Sequence, residues 1–376
     1  MRILHVAPFL GSVFGGTTTV VRSIASQLAK RHHDITVLTT DYKLDSSVVG
    51  LGEGFEVIPF RSRANLGLLV YSPEMKTWLS ENVGVYDVVH MHTFRTYQNG
   101  IARNAALKFD VPYVLQAHGG VLPFHQKQLQ KRIFDLAYGK RILMGSSRAI
   151  AVSRMEVKQY EKMGFPRDRI ELIPNGINIG DYQQLPPRDL LHDRYGMDAE
   201  EKVILFLGRI DRIKGLDLLV DAYAQVCQVR KDCRLVIAGP DFGHLATLKE
   251  RIRGLGVEDR VLFTGPLQGE VKFQAITGAD LCVVPSTFDI FSMSALEAMA
   301  SGTPVIITNR CGISDMISDV SLIVDYDVDQ FRDAIIRMLE DDGLRRELSE
   351  AGRKRVEEVF DWSSIIDRLE AMYRSL

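Results

Sequence analysis

Two carboxylates, Asp289 and Glu297, are the residues of this 376-residue chain whose types and spacing say most about chemistry. They lie eight positions apart across a predicted loop-to-helix junction, between strand-like segments 281–284 and 305–307. A helix N-terminus offers free N–H groups and a positive dipole end, and Glu297 would lie about one turn further in. Acceptors set among donors suit a polyhydroxylated, phosphorylated ligand, and a sugar nucleotide fits that description.

A purely structural explanation of this pair stays open. Ser294 and Glu297 have the spacing of a capping box, which would account for the glutamate without any ligand. Asp289 could equally be an ordinary loop residue.

A second group of chemical residues lies in the segment Gly-Arg-Ile-Asp-Arg-Ile-Lys-Gly at 208–215, directly after a predicted strand. Arg209 can bind a diphosphate through two parallel hydrogen bonds, and Lys214 would add a mobile point charge. The alternative is a loop of solvated charges. We expect Arg212 to be a surface residue.

A third group lies in the N-terminal half. Gly15 and Gly16 precede a predicted helix, where backbone can approach a phosphate, although a plain turn would look the same. His118 follows a strand and precedes two glycines, so it could donate to a sugar or phosphate, or be structural. His90 and His92 could share a metal, but no third ligand is evident. We expect one core histidine and one facing a cleft.

Short apolar runs alternate with longer amphipathic segments, which indicates parallel sheets covered on both faces by helices. A chain of this length is normally two or more domains. A break at 174–176, followed by a polar stretch at 181–187, divides it into two doubly wound α/β domains, with the site expected in the cleft between their strand ends. The predicted strands are 3–6, 35–39, 57–59, 88–90, 113–116, 149–152, 170–173, 203–207, 235–238, 261–264, 281–284, 305–307 and 322–324. Predicted helices include 20–31, 216–229 and 331–339.

Charge is distributed unevenly along a nearly neutral chain. Residues 1–180 carry 22 Lys and Arg against 14 Asp and Glu, whereas residues 181–376 carry 24 against 34. Much of the excess lies in a helical segment at 124–143, whose basic residues are Lys127, Lys131, Arg132, Lys140 and Arg141. This segment is either a packed helix with a solvated basic face or an interfacial helix on anionic lipid. No apolar run is long enough to span a bilayer, no signal peptide is evident, and the four scattered cysteines suggest reduced thiols.

In the order and strand-end placement of these motifs, nearly the whole chain resembles the family 4 glycosyltransferases. The resemblance extends to Ile-Pro-Asn-Gly at 173–176, Gly239-Pro240, the segment 285–304 and Phe-Asp-Trp at 360–362. It implies the GT-B fold, with an acceptor-binding domain at 1–180, a donor-binding domain at 181–360 and a C-terminal segment at 361–376 crossing back to the first domain. It also implies retaining transfer from a nucleotide-diphosphate sugar to a glycan, lipid or lipid-linked saccharide.

The resemblance assigns roles residue by residue. Arg209 and Lys214 would bind the diphosphate, and Glu297 the ribose. Asp289 and the backbone near Phe291, Ser292 and Met293 would contact the transferred sugar. His118 would lie beside the sugar and phosphates, Gly16 would approach the diphosphate, and the acceptor-side candidates are Gly15, His92 and Arg95. The resemblance implies no metal and no cofactor besides the nucleotide-sugar co-substrate, and we expect no nucleic-acid partner.

Three departures from the family pattern affect these roles. The usual Glu-x-Phe-Gly is Asp289-Ile-Phe-Ser292 here, the usual Gly-Gly-x-x-Glu is Cys-Gly-Ile-Ser-Asp at 311–315, and Asn178 replaces an aspartate. Asp289 and Ser292 leave open a nucleotide-sugar-binding subunit without turnover. A nucleotide-sugar 2-epimerase is a further alternative, because such enzymes share the two-domain architecture. We expect a cytoplasmic protein, with a peripheral location at the inner membrane face as the further expectation.

Overall fold

The computed structural model describes residues 1–45, 54–66, 69–122 and 128–376. The chain folds into two compact units. Unit 1 comprises Met1–Gly176 and Trp362–Leu376, and unit 2 comprises Ile177–Asp361. The change from one unit to the other falls at Gly176, four residues before the predicted boundary.

The sheet of unit 1 has seven strands in the described part of the chain, all paired in parallel. Their order is β3-β2-β1-β6-β7-β8-β9, and a separate antiparallel hairpin, β4-β5, was not predicted. The strands are β1 (Arg2–Val6), β2 (Asp34–Thr40), β3 (Glu56–Phe60), β4 (Ala64–Leu66), β5 (Leu69–Tyr71), β6 (Val88–His92), β7 (Tyr113–Gln116), β8 (Arg148–Ala151) and β9 (Ile170–Leu172).

Helices cover this sheet because its strands are apolar on both faces, with Leu4, Val89 and Leu115 fully buried. The helices of unit 1 are α1 (Gly16–Lys30), α2 (Pro73–Asn82), α3 (Tyr97–Lys108), α4 (Gln128–Phe134), α5 (Lys140–Gly145), α6 (Arg154–Lys162) and, after unit 2, α14 (Trp362–Arg374). A π-helical turn, Asp135–Gly139, joins α4 to α5. The last helix, α14, packs on α1 and is bound by the ion pair between Arg31 and Asp367.

Unit 2 repeats this architecture with six parallel strands among the described residues, in the order β12-β11-β10-β13-β14-β15. The strands are β10 (Lys202–Leu207), β11 (Cys233–Ala238), β12 (Val261–Gly265), β13 (Leu281–Val284), β14 (Val305–Thr308) and β15 (Leu322–Val324). The helices are α7 (Asp189–Tyr195), α8 (Leu216–Val229), α9 (Leu245–Gly254), α10 (Gly269–Gly278), α11 (Met293–Ala300), α12 (Val328–Glu340) and α13 (Asp342–Val359).

In each sheet the strand order reverses once, between β1 and β6 in unit 1 and between β10 and β13 in unit 2. Doubly wound folds bind ligands at the carboxyl ends of the strands beside such a reversal. Two predicted site residues lie at these positions, because His92 ends β6 and Arg209 follows β10.

The predicted α/β architecture of two doubly wound parallel sheets is confirmed. All thirteen predicted strands are present, most with ends shifted by one or two residues, and helix 216–229 is predicted to the residue. Helix α1 begins four residues earlier than predicted, at Gly16. The four cysteines are buried with free thiols. Over the residues described, no helix combines the length and apolar character needed to cross a membrane.

Candidate active site

The loop at 208–215 is built against its neighbours in unit 2 by glycines. A Cβ on Gly239 would lie 1.8 Å from the carbonyl oxygen of Gly208, so only glycine allows this approach. Gly215 has a φ of 69° and faces the carbonyl oxygen of Pro285, where a Cβ would lie at 1.8 Å. Thr287 adds a backbone hydrogen bond of 2.9 Å to the carbonyl of Ile213. The loop that carries the two predicted cations is therefore fastened to the segment that follows β13.

Lys214 and Asp289 form an ion pair across this junction. The Nζ of Lys214 donates to Oδ2 of Asp289 over 2.5 Å, and both side chains are largely buried, at 20% and 15% exposure. The other carboxylate oxygen, Oδ1, accepts from the backbone N–H of Phe291 over 3.4 Å. The structure thus brings together two residues that are 75 positions apart, but it gives Asp289 a protein partner at each oxygen.

Arg209 differs from Lys214 because its guanidinium makes no ion pair within the described part of the chain. The guanidinium of Arg209 lies over the ring of Phe242, and its Cζ is 4.9 Å from the ring centroid. An aromatic face orients an arginine without using its N–H donors. Arg209 therefore keeps its fork of donors available for an anion. Arg212 is exposed, as predicted.

Ser292 begins helix α11 as its N-cap, and its hydroxyl accepts from the backbone N–H of Ala295 over 3.3 Å. The capping box considered for Ser294 and Glu297 is therefore wrong, because the helix starts two residues earlier. The hydroxyl of Ser294 instead contacts that of Ser292 at 3.1 Å. The side chain that replaces the family's glycine has a structural use at this position.

Glu297 lies one turn into α11 with 17% of its side chain exposed, as the helix geometry predicts. Its Oε1 accepts from the Nζ of Lys272 over 3.0 Å. Burial, with a contribution from the charge of Glu297, raises the pKa of the nearby Tyr182 well above its usual value. Phe291 and Met293 are half-buried on either side of the cap. A carboxylate with one oxygen on lysine retains the other as an acceptor.

In unit 1, Gly15 and Gly16 form the exposed start of helix α1. Gly15 is the N-cap residue with a φ of 67°, and a Cβ there would meet no atom within 4 Å. Glycine is required there by the backbone conformation and not by crowding from this chain. No side chain caps α1, and a helix N-terminus without a side-chain cap can offer its first backbone N–H groups to an anion.

Four histidines of unit 1, His5, His90, His92 and His118, form one connected cluster. His92 Nε2 lies 2.9 Å from His5 Nδ1, and His92 Nδ1 lies 3.0 Å from His118 Nε2. His90 Nδ1 lies 2.6 Å from the hydroxyl of Tyr373. Burial lowers the pKa of His5 and of His118 to about 3, and it lowers the pKa of His90 and His92 well below the usual value.

This cluster corrects two predictions. We expected one core histidine and one facing a cleft, but His90 and His92 are both fully buried. A third candidate metal ligand also exists, because His5 on the neighbouring strand is the register partner of His90. His5, His90 and His92 each offer a nitrogen within 4.8 Å of the others. Sequence spacing could not show this, since His5 is 85 residues from His90.

The loop that carries His118 is fixed by helix α6. Glu156, fully buried, accepts from the backbone N–H of Gly119 over 2.7 Å and of Val152 over 2.9 Å. Burial raises the pKa of Glu156 to about 7. The hydroxyl of Tyr160 accepts from the backbone N–H of Ala117 over 3.1 Å. These contacts hold His118 at a φ of 51°, a left-handed conformation that side-chain-bearing residues adopt rarely.

Arg95, predicted on the acceptor side, is used within the protein. Its Nε and Nη2 bind the carboxylate of Asp135 at 2.8 and 2.6 Å, and its other contacts are to the carbonyls of Gly120 and Val121. The side chain is 10% exposed. Arg95 therefore fastens the π-helical turn to the loop after His118, and its donors are already satisfied.

Within the basic segment predicted at 124–143, the described residues form one continuous helical stretch in which a π-helical turn separates α4 from α5. Lys127 lies outside the described residues, while Lys131 and Arg132 are on α4 and Lys140 and Arg141 are on α5. In the packed-helix alternative its apolar residues would be buried, yet Leu129, Ile133 and Leu136 are 73%, 59% and 84% exposed. Leu143 is buried. The segment thus presents apolar and basic side chains together.

Sequence reasoning missed four residues that shape these sites: His5, Glu156, Phe242 and Lys272. One of them carried a readable signal, because Ser153 and Glu156 have capping-box spacing and Ser153 does cap α6. The others depend on partners more than 20 residues away in the chain.

Two family models match this chain, one for each unit. "Glycosyltransferase Family 4" matches residues 14–181, and "Glycosyl transferases group 1" matches residues 187–355. An uncharacterised glycosyltransferase of Methanocaldococcus jannaschii is 27% identical over 96% of this chain and 95% of that protein. A phosphatidyl-myo-inositol mannosyltransferase of Mycobacterium leprae is also 27% identical, over 100% of this chain and 97% of that one.

The fold also matches solved structures. The structure of Anabaena HepE in complex with UDP-glucose superposes with a TM-score of 0.84 at 21% identity, covering 100% of both chains. At that identity the match concerns the fold, which is the GT-B fold. The two family models, which between them span most of the chain, and the full-length relatives agree with it. The chain therefore belongs to glycosyltransferase family 4 and is a glycosyltransferase.

Proposed function

We propose that this enzyme transfers a hexose from a nucleotide-diphosphate sugar to a glycan, lipid or lipid-linked acceptor, with retention of the anomeric configuration. The observation that carries the proposal is the loop at 208–215. It presents an arginine without an ion-pair partner in the described chain and a lysine paired with Asp289, at the strand reversal of unit 2. Unit 2 is the donor-binding unit in this proposal, and unit 1 binds the acceptor.

The cations act on the leaving group. In the proposed step a bond forms between an acceptor oxygen and the anomeric carbon while the bond from that carbon to the diphosphate breaks. The acceptor's proton passes to the departing phosphate on the same face. Negative charge builds up on the diphosphate, and fixed cations at that point stabilise the transition state more than the ground state. Arg209 supplies a planar fork of donors, and Lys214 supplies a point charge.

Asp289 positions Lys214 in the ligand-free protein. With Oδ2 on Lys214 and Oδ1 facing the N–H of Phe291, the carboxylate must share its lysine when a diphosphate arrives. We propose that Lys214 then bridges the phosphate and Asp289, and that an unused lone pair of the Asp289 carboxylate accepts from a sugar hydroxyl.

Glu297 is the proposed ribose ligand, through the oxygen that Lys272 does not occupy. His118 in unit 1 is the proposed donor to the sugar or phosphate. The names of the relatives support a hexose donor and a lipid-borne acceptor, since one is a phosphatidyl-myo-inositol mannosyltransferase and HepE was solved with UDP-glucose.

We also propose that the segment formed by α4, the π-helical turn and α5 rests on anionic lipid. Leu129 and Leu136 are the most exposed large apolar side chains of the described chain, and basic residues accompany them. An apolar face with flanking lysine and arginine binds at the headgroup level. This contact would bring the enzyme to a lipid-borne acceptor.

The transferase proposal is tested by incubating the protein with a panel of UDP-, GDP- and ADP-hexoses and following the anomeric protons by NMR. Transfer to an added glycosyl acceptor with retained configuration is the expected result. Conversion of the donor alone into a different sugar would identify an epimerase, and stabilisation by a donor without turnover would identify a binding subunit. An inverted product would refute the retaining mechanism.

The lipid proposal is tested by flotation with vesicles containing phosphatidylglycerol. Leu129→Ser combined with Leu136→Ser should lower the vesicle-bound fraction severalfold. Leu107→Ser is the matched control, because Leu107 is 52% exposed on α3 and lies outside the segment. Equal binding by both variants would contradict a role for these leucines.

A further inference from the structure

We infer that His5 and His92 form a hydrogen-bonded relay that fixes the tautomer of His118, with the proton on Nδ1 of His118 and that atom ready to donate to a ligand. His5 and His92 are thus positioning residues that act through His118. The use of the donor rests on the proposed function, whereas the tautomer itself does not.

The relay consists of two short contacts between ring nitrogens. His5 Nδ1 lies 2.9 Å from His92 Nε2, and His92 Nδ1 lies 3.0 Å from His118 Nε2. The ring planes are nearly parallel, at 12° and 17°, with centroids 5.2 and 5.3 Å apart. Rings that are this far apart with nitrogens this close meet edge to edge, as a hydrogen bond requires.

A relay of neutral rings must be ordered. His5 and His92 are fully buried, and a second proton on either ring would place a charge in the protein interior, which is costly. A neutral imidazole has one N–H and one acceptor nitrogen. Two contacts in series then allow only two arrangements, in which all the protons point towards His118 or all point towards His5.

The two arrangements differ at the ends of the relay. When the protons point towards His118, Nδ1 of His118 is protonated, and Nε2 of His5 is unprotonated. When they point the other way, Nε2 of His5 carries an N–H. That atom is buried and has no hydrogen-bond partner among the described residues. Buried N–H groups without an acceptor are rarer than unsatisfied acceptors, so the first arrangement is favoured.

A metal ion on His5, His90 and His92 would compete with this relay. The three rings offer nitrogens within 4.8 Å of one another. However, both ring nitrogens of His92 are already within hydrogen-bond distance of histidines, so a metal bound to His92 would break one link. The distances in the structure are those of the relay.

Other residues fix the backbone around His118, so the property of His118 that the relay controls is its tautomer. Glu156 and Tyr160 hold the backbone on both sides of His118 through the N–H groups of Gly119 and Ala117. Nδ1 of His118 has no hydrogen-bond partner in the described part of the chain. An Nδ1–H can donate to a phosphate or hydroxyl oxygen, whereas a bare Nδ1 would repel a phosphate.

The first test needs no substrate. In the ligand-free wild-type protein labelled with ¹⁵N-histidine, long-range ¹H–¹⁵N NMR reports which ring nitrogen carries the proton, and loss of a signal in His118→Gln assigns it. We expect His118 to be protonated at Nδ1 and to accept at Nε2. Protonation at Nε2, or one zinc per purified chain by elemental analysis, would overturn the inference.

The second test separates the relay from simple packing. His5→Met removes the end of the relay, and His90→Met is the matched control, since His90 is equally buried on the neighbouring strand but bonds to Tyr373. Only His5→Met should give His118 a mixture of tautomers. If both variants, or neither, altered the tautomer of His118, the relay would be refuted.

Kinetics then connect the tautomer to transfer. With a donor found active on the wild type, His5→Met should lower kcat about fivefold to tenfold, the size expected for one weakened hydrogen bond in the transition state. The KM for the donor should stay close to wild type. An unchanged kcat would refute the use of the relay in transfer. A wild-type protein that transfers no sugar would refute the proposed function, and the NMR result would remain independent of it.

Discussion

At the carboxyl edge of the sheet in unit 2, the candidate site residues are charged and partly exposed, whereas at the same edge of unit 1 they are uncharged and mostly buried. Unit 2 offers Arg209 and the Lys214–Asp289 pair. Unit 1 offers His118, supported by His92 and His5. Both sets lie beside the strand reversal of their sheet. The same sheet topology thus places charged side chains in unit 2 and neutral histidines in unit 1. The chemistry proposed for each unit follows from this difference in charge.

The difference has a physical reason. A departing diphosphate gains negative charge, so a donor-binding unit needs cations that remain charged. Lys214 lies beside the carboxylate of Asp289, and Arg209 presents a fork of N–H donors. A sugar and an incoming hydroxyl are neutral, and orienting them calls for donors and acceptors in fixed directions. Neutral histidines locked in one tautomer meet that need.

The largest effect should come from removing Arg209, whose guanidinium makes no ion pair among the described residues. Arg209→Ala should lower the rate of sugar transfer at least about 100-fold, as removal of a charge-stabilising donor does in other active sites. Arg212→Ala, in the same loop but exposed, should stay within about twofold of the wild type because we place it outside the site. Steady-state transfer assays measure both. Equal losses of transfer rate in the two variants would show that the rate depends on the total positive charge of the loop and not on Arg209 itself.

A smaller effect should follow from breaking the ion pair between Lys214 and Asp289. Asp289→Asn removes the carboxylate that holds Lys214, so the lysine becomes fully available to a diphosphate. We expect the affinity for the nucleoside diphosphate product to rise about threefold to tenfold, within the range of a partly buried charge interaction, while kcat falls. Calorimetric titration measures the affinity. A weaker affinity would mean that Asp289 assists diphosphate binding directly.

The buried histidines of unit 1 should make stability fall in acid. Their folded-state pKa values are depressed, so the stability they contribute is present above about pH 6.5, the pKa of an unfolded histidine, and is lost as the pH falls towards the folded values. In this window each of His5, His90 and His92 should lower the free energy of unfolding by up to about 1.4 kcal/mol for every unit by which the pH falls.

Glu156 opposes this trend, because its pKa is raised by burial. The stability linked to Glu156 is fully present below the unfolded pKa near 4.5 and is lost as the pH rises through about 7. Three histidines outweigh one glutamate, so the free energy of unfolding should decrease from pH 6.5 to 5. Urea unfolding at each pH measures it, with His5→Met showing a shallower slope than His32→Gln, an exposed control. Parallel slopes would show that His5 is charged in the fold.

Removing the acceptor that holds the His118 loop should destabilise unit 1 moderately. Glu156→Gln keeps one acceptor oxygen but turns an N–H towards the second backbone donor, which costs about 1–3 kcal/mol for a buried unsatisfied group. Thermal unfolding measures the change, and Glu161→Gln, on the exposed face of the same helix, is the control. A wild-type melting temperature for Glu156→Gln would show that Glu156 is already protonated and one contact is dispensable.

The smallest effect concerns the cap in unit 2. Ser292→Ala should cost about 1 kcal/mol because the N–H of Ala295 loses its acceptor, while Ser292→Gly should cost only a few tenths of that amount. Chemical denaturation resolves the two. Because glycine restores the family's usual residue, transfer activity should survive this change. Loss of activity in the glycine variant would give the hydroxyl a role in the site beyond capping.

Local pattern was enough to predict most of the fold. Apolar runs at strand length mark every strand of both parallel sheets, since strands covered on both faces need continuous apolar sequence. The hairpin at Ala64–Leu66 and Leu69–Tyr71 was missed because its strands are three residues long and partly polar. The placement of Arg209 and Asp289 after neighbouring strands also followed from pattern.

Contacts between distant residues could not be predicted in the same way. The relay joins His5 to His92, 87 residues apart, and it exists only because β1 and β6 are neighbours in the sheet. Likewise, Lys272 reaches Glu297 from another helix. Arg95 was predicted as an acceptor-side candidate, and only the position of Asp135 shows that its donors are satisfied.

The central claim is that the diphosphate of the donor binds the cations of unit 2, and it is tested most directly by calorimetric titration with nucleoside diphosphates and monophosphates. Wild type and Arg212→Ala should bind UDP or GDP more tightly than the matching monophosphate, by at least about tenfold for the added phosphate contacts. Arg209→Ala should lose this preference while still binding the nucleoside. An undiminished preference for the diphosphate in Arg209→Ala would contradict the account.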